Sequence, residues 1–251
     1  MNQELEGVYA LWKREIIRFA RSKSRILGSL AMPFFFLAIL GTGMGNIFNA
    51  GVSGSYLQFI TPGIIGMMLM FGSISSGIIV IIDRQFGFLK ETLVAPISRL
   101  SIVAGKSLGG ATTAVIQGII ILFFAVLLGA QVSVADILLL LVFMFMISTM
   151  FVSLGIALAS MLEDMHGFQL IMNFLIMPLF FLSGALFPLS SAPWLLKTVS
   201  MADPLTYGVN GLRHILIGTS DINFTISFGV VFAFTALFIG IAIYLFNRIE
   251  E

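Results

Sequence analysis

The sequence predicts an all-α integral membrane protein with six transmembrane helices, on three observations. Hydrophobic residues make up 59% of the 251 positions and charged ones only 10%, with a mean hydropathy of +1.08. A soluble domain carries about 25% charged residues, and so few charges cannot cover so apolar a chain in water. From Ile26 to Ile82 there is no Asp, Glu, Lys or Arg at all. Finally, the apolar segments recur at spanning length, separated by short polar breaks.

Taken in order, residues 1–25 form a basic arm. Lys13, Arg14, Arg18, Arg21, Lys23 and Arg25 alternate with Leu5, Val8, Trp12, Ile16 and Phe19 at spacings of three and four. That pattern predicts an amphipathic helix in the membrane interface. A cleaved signal peptide fits poorly, because the apolar run that follows is of spanning length and has no small-x-small cleavage site. Residues 26–251 form the spanning region, with spans at about 26–45, 59–82, 107–130, 137–162, 168–188 and 222–246. The charge-free stretch is too long for one span, and Gly43, Gly45, Asn46, Asn49, Gly51, Ser53 and Gly54 divide it. Six spans and their loops leave no room for a separate soluble domain.

Cations set the orientation. If the amino terminus is cytoplasmic, the inner segments hold the six cations of the arm plus Arg84, Lys90, Arg99, Lys106 and Arg248, and the outer ones hold only Lys197 and Arg213. The positive-inside rule then places both termini in the cytoplasm of a multi-pass protein of the cell (inner) membrane. The inner segment Arg84–Ala95 has helical character, with Phe86, Leu89 and Leu93 on one stripe, Arg84, Lys90 and Glu91 around it, and Pro96 as a stop. The outer segment from Leu186 to Asp221 is too apolar for a solvated loop and is cut by Pro188, Pro193 and Pro204. Short re-entrant or interfacial helices would satisfy its backbone and bury Trp194, Leu195, Leu196 and Tyr207.

Several chemistries are excluded. Gly105-Lys106-Ser107 is no phosphate loop, because Leu100 stands where such a loop needs its first glycine and no buried strand precedes it. The run GTGMG at 41–45 has Asn46 in place of the third dinucleotide-binding glycine. No cysteine is present, and His166 and His214 fall on opposite sides of the membrane, so no metal centre is expected. Ser183 lacks a paired base, which argues against an intramembrane hydrolase. The pairs Gly41/Gly45 and Ser73/Gly77 have the small-xxx-small spacing of close helix contacts. No ionisable residue lies near the centre of any predicted span, so a coupling-ion site of the kind carriers use is missing. Uphill transport would draw its energy from another subunit docked on the cytoplasmic face.

DRQFGFLKETLVAPISRLSIVAGK, followed by LSGALFPLSSAPWLLKTVSMADPLTYGVNGLRHILIG, resembles the permeases of ATP-binding-cassette type 2 exporters, which include drug-resistance, nodulation-factor and polysaccharide export permeases. The likeness covers essentially the whole chain, with Asp203 where many members have asparagine. It implies a half-transporter: two copies of this chain with two cytoplasmic ATPase subunits, and no nucleic-acid partner. This chain would hold no cofactor; ATP and magnesium would be bound by the ATPase. It further implies a connecting helix over Leu5–Arg25 and a coupling helix over Arg84–Ala95, in which Arg84, Phe86, Leu89, Lys90, Glu91 and Leu93 dock the ATPase. A pair of outer re-entrant helices, Phe187–Arg213, would be shaped by Pro188, Pro193, Trp194, Pro204, Tyr207 and Arg213. The expected activity is ATP-driven export of an amphipathic, drug-like or lipid-linked substrate. Polysaccharide or glycolipid export, an ATP-independent channel and an intramembrane enzyme are the alternatives.

Overall fold

A computed structural model describes residues 2–43, 56–162 and 164–248. Every regular element among them is helical. The order is α1 (Asn2–Arg21), α2 (Lys23–Gly43), α3 (Tyr56–Ser76), α4 (Ile78–Gln85), α5 (Phe88–Val94), α6 (Arg99–Leu127) and α7 (Ile137–Met161). Then follow α8 (Met165–Ile171), a π-helical turn (Met172–Ile176), α9 (Met177–Leu182), α10 (Trp194–Ser200), α11 (Pro204–Ile217) and α12 (Phe224–Phe246). Six stretches are long and apolar enough to cross a membrane: Ile26–Gly43, Tyr56–Gln85, Arg99–Leu127, Ile137–Met161, Met165–Leu182 and Phe224–Phe246. They are spans 1 to 6 below. The Gly/Asn-rich break from Gly45 to Gly54, and Glu163, lie outside the described residues.

In hydrocarbon every backbone polar group must find its partner inside the chain, so the apolar runs become helices whatever their intrinsic propensities. Span 2 forms the centre. Ile60, Ile64, Ile65, Leu69 and Ile74 have no exposed surface, and spans 3 and 4 and α11 pack around it. Two backbones nearly touch there. A β-carbon on Gly77 would lie 2.2 Å from the Gly155 carbonyl oxygen, and one on Gly155 would lie 2.5 Å from that of Ile74. Ser73/Gly77 thus does mark a close helix contact, between spans 2 and 4. Spans 1 and 5 flank this centre and keep wide apolar faces open, including Leu27, Phe35 and Ile39 on one and Leu170, Phe174 and Leu175 on the other.

One end of the bundle, here the basic end, carries α1, α5 and the start of span 3. Ser98 caps span 3 by accepting from Ser101 N at 3.2 Å. The Glu4 carboxylate of α1 accepts from Ser98 N and Oγ, each at 3.0 Å. Hydrogen bonds from Ser101 and Ser98 hold the Glu4 carboxyl below its ordinary range. Arg99 Nη1 donates to Asn247 O at 2.8 Å and so ties the end of span 6 to the same corner.

Candidate functional site

The basic-end junction starts from a pair of glycines. Gly105 and Gly109 lie four residues apart on one face of span 3, and α1 sits directly on them. A β-carbon on Gly105 would be 2.8 Å from Leu11 Cβ and 3.0 Å from the Val8 carbonyl; one on Gly109 would be 2.6 Å from Glu15 Cβ. Trp12 Nε1 closes the contact by donating to Thr112 Oγ1 at 3.1 Å. The helix that sequence periodicity places in the membrane interface is therefore seated along one face on protein. The glycine before Lys106 serves that close approach, not a phosphate.

Lys106 itself is a correction. Placed by the sequence in the inner segment just before a span at 107–130, it is buried, because span 3 begins at Arg99 and carries it into the bundle. Its Nζ donates to Asp83 Oδ2 at 2.6 Å, and Arg14 Nη2 donates to Asp83 Oδ1 at 3.3 Å. Asp83 has no exposed surface. Two strong donors satisfy its carboxylate, as a buried charge requires. Arg18 lies further off, with Nη1 3.8 Å from Asp83 Oδ1, and that nitrogen makes no hydrogen bond among the described residues. Glu15 is buried beside this group, and burial pushes its carboxyl up against the pull of Lys106 and Arg18. Asp83 thus binds α1, span 2 and span 3 at one point.

Next to that point a cavity of about 420 Å³ runs between α1 and spans 1, 2, 3 and 5, within the size range of small-molecule sites. Its body is apolar, built from Met32, Phe36, Met68, Phe71, Met177 and Phe180. Its polar lining is Glu15, Arg18, Ser29, Gln117 and Asn173, with the serines and Thr113 beside them. Ser29 Oγ donates to Gln117 Oε1 at 2.9 Å across the cavity wall. Asn173 belongs to the π-helical turn of span 5, a rare geometry that often marks functional positions.

The expected docking residues are divided. A continuous helix over Arg84–Ala95 does not form, because Gly87 adopts φ +79° and starts a new helix at Phe88. Phe86 therefore leaves the stripe it shares with Leu89 and Leu93 on a helical wheel. Leu89 is only 2% exposed and Leu93 packs on the core, so both face the chain's own interior. The exposed apolar edge is Phe86, at 69%, with Phe88 and Val94, beside exposed Lys90 and Glu91 and half-buried Arg84. A groove between α5 and α1, lined by Phe88, Glu91, Thr92, Glu6 and Arg14, runs along this edge.

At the far end residues 186–221 form two α-helices, α10 and α11. Burial of Trp194, Leu195 and Leu196 is not achieved within the chain: Trp194 is 77% exposed and α10 turns its apolar face outward, where lipid can meet it. Half-buried Pro188 and exposed Pro193 bracket the chain before α10, and Pro204 is buried at the first turn of α11. Tyr207 is half-buried and donates to Met201 O at 2.9 Å. Arg213, which the sequence places in the re-entrant segment, is 3% exposed. It donates to Gly184 O at 2.9 Å and lies 4.2 Å from the centre of the Phe59 ring, and burial lowers its pKa to about 10. Ser183 Oγ is buried and donates to Phe180 O of its own helix, which is a packing role. Among the described residues no cluster of His, Asp and Glu could hold a metal.

Residues 6–217 match the ABC-2 type transporter family. The chain belongs to that family. It is 30% identical over 219 residues to the ycf38 transport permease of Cyanophora paradoxa, covering 84% of this chain and 74% of that one. It is 28% identical to the inner membrane transport permease YadH of Escherichia coli K12, over 91% of this chain and 90% of YadH. Nodulation protein J of Rhizobium leguminosarum bv. viciae is 27% identical, with 88% and 86% covered.

Within this ABC-2 permease the residues that sequence reasoning missed are Asp83, Glu15, Gln117 and Asn173. One signal was available. Asp83 ends the charge-free stretch and Lys106 lies in the first turns of the next span, so opposite charges bracket a hairpin of adjacent helices.

The ABC-2 permease also carries a pH-sensitive cap. Asp203 accepts from Leu205 N at 2.9 Å, and burial raises its carboxyl from 3.8 to about 7, outweighing the hydrogen bonds that lower it. The folded state holds the proton more tightly than the unfolded one. The stability this gives is complete below pH 3.8 and is lost as the pH rises to about 7. We expect Asp203→Asn, which keeps the capping oxygen, to flatten a slope of up to about 1.4 kcal/mol per pH unit in that window. Thermal unfolding of the two proteins at pH 5 and pH 8 checks it.

Proposed function

We propose that this chain is the membrane half of an ATP-driven exporter, in which two copies assemble with two cytoplasmic ABC ATPase subunits that bind ATP and magnesium. Both termini lie in the cytoplasm, a reading supported by the concentration of Lys and Arg at the basic end. The substrate is amphipathic, drug-like or lipid-linked. The observation that carries this reading is the cavity between α1 and spans 1, 2, 3 and 5. Its methionine and phenylalanine walls suit an apolar body of variable shape, and its polar groups are confined to a few positions. Membership in the ABC-2 type transporter family and likeness to proteins named transport permeases support it further.

Energy would enter through the exposed edge of Phe86, Phe88 and Val94 and the neighbouring groove. Motion of that edge reaches the cavity by a short path. Gln85 and Asp83 are on one helix, Asp83 holds Lys106 and Arg14, and Glu15 and Arg18 line the cavity wall.

Photolabelling tests the division of labour. Tagged chain isolated from its native membrane in mild detergent should retain an ABC ATPase, and 8-azido-ATP should label that partner and leave this chain unlabelled. Specific labelling of this chain, or solute flux through proteoliposomes of this chain alone without ATP, would contradict the proposal.

A further inference from the structure

Five ionisable side chains meet at the junction, and their pairing is uneven. Asp83 takes hydrogen bonds from Lys106 and Arg14. Arg18 pairs with the same carboxylate only loosely, at 3.8 Å, and its Nη1 makes no hydrogen bond among the described residues. Among the described residues Glu15 makes no ion pair within 4.0 Å, and burial raises its carboxyl against the pull of Lys106 and Arg18. Three cations thus share one carboxylate, and Arg18, the one it holds most loosely, lines the cavity. A guanidinium has five N–H donors in a planar fork suited to phosphate or carboxylate oxygens. Gln117 and Asn173 add amide groups to the lining, and beyond them the walls are apolar.

We propose that the cavity selects an amphiphile with an anionic head, a phosphate monoester or carboxylate held by Arg18, with the apolar chain along Met68, Phe71 and Phe180. This rests on the reading of the cavity as a solute site and names the class of solute. The same chemistry could be supplied by a transported compound or by an anionic membrane lipid held in place. In either case Arg18 is the residue that reads the head, and the α1 helix is part of the binding site as well as an anchor.

Equilibrium binding of radiolabelled dodecyl phosphate to the full chain in phosphatidylcholine nanodiscs tests it, with dodecanol and dodecylphosphocholine as competitors. We expect saturable binding that neither competitor matches. Arg18→Gln should weaken it by about tenfold, the usual worth of a hydrogen bond to a charged group. Arg18→Lys, which keeps the charge, should restore much of the loss. Equal competition by dodecanol, or unchanged binding in Arg18→Gln with a folded protein, would overturn the inference. ATP-dependent accumulation of dodecyl phosphate in vesicles of the chain with its ATPase would identify a transported solute; Arg18-dependent binding without accumulation would identify a resident lipid. Both support the site. Transport of a neutral amphiphile that ignores Arg18 would remove the head-group role and leave the permease reading standing.

Discussion

Asp83→Leu will release the first helix from the bundle. The substitution strands the buried Lys106 ammonium without the carboxylate it donates to and removes the carboxylate that accepts from Arg14. Removing one partner of a buried ion pair costs about 3–5 kcal/mol, because the other charge is stranded in a medium that cannot solvate it. The effect should appear as a lower unfolding temperature and as rapid tryptic cleavage after Arg14, Arg18 and Arg21. A second substitution separates this from loss of packing. Asp83→Leu combined with Lys106→Met removes both charges, and replacing a buried pair by apolar groups of similar volume is often neutral or stabilising. The double variant should regain most of the stability while Arg14 and Arg18 remain without their anchor. A folded protein that does not transport would then show that the ion pair serves coupling more than folding. Tryptic resistance in Asp83→Leu equal to that of the parent would rule out the clasp.

How much of this was legible beforehand differs by element. The spans were visible because a bilayer allows an uncharged run no alternative to helix, so composition fixes the element and its length. The amphipathic α1 was visible from its period, but its seat on Gly105 and Gly109 was not. Glycines four apart are common in apolar helices, and only the fold shows which ones a neighbour approaches. The Phe86–Leu89–Leu93 stripe failed for a local reason. A helical wheel assumes continuous helix, and Gly87, free to take positive φ, breaks the helix between the first residue of the stripe and the other two. Trp194 and Leu195 were expected to need burial; in α10 they face outward, because a membrane protein can satisfy an apolar side chain with lipid. The Asp83 clasp joins residues up to 69 positions apart, and the π-helical turn at Asn173 leaves no mark in the sequence. Both depend on how the spans meet.

The second large effect is expected at the exposed edge of the basic end. Leu93→Asp, the change that the stripe would suggest, mainly damages the chain's own packing, because Leu93 rests on the core. Phe86→Asp together with Phe88→Asp touches two side chains that are exposed in this chain. If these rings fill a partner's pocket, their replacement removes two aromatic anchors. Anchors at interface hot spots are worth about 2 kcal/mol or more each. The variant should insert and fold as the parent does, yet retain at least about tenfold less ATPase on purification and fail to transport.

On the proposed function, a separate ATPase drives this permease through that edge. A photo-crosslinking amino acid, p-benzoylphenylalanine, placed at Phe88 in living cells tests it most directly. We expect one major adduct, between this chain and an ABC ATPase, which disappears when Phe86→Asp is added. Adducts to lipid alone, with the ATPase absent from the cross-linked products although it is present in the membrane, would contradict it.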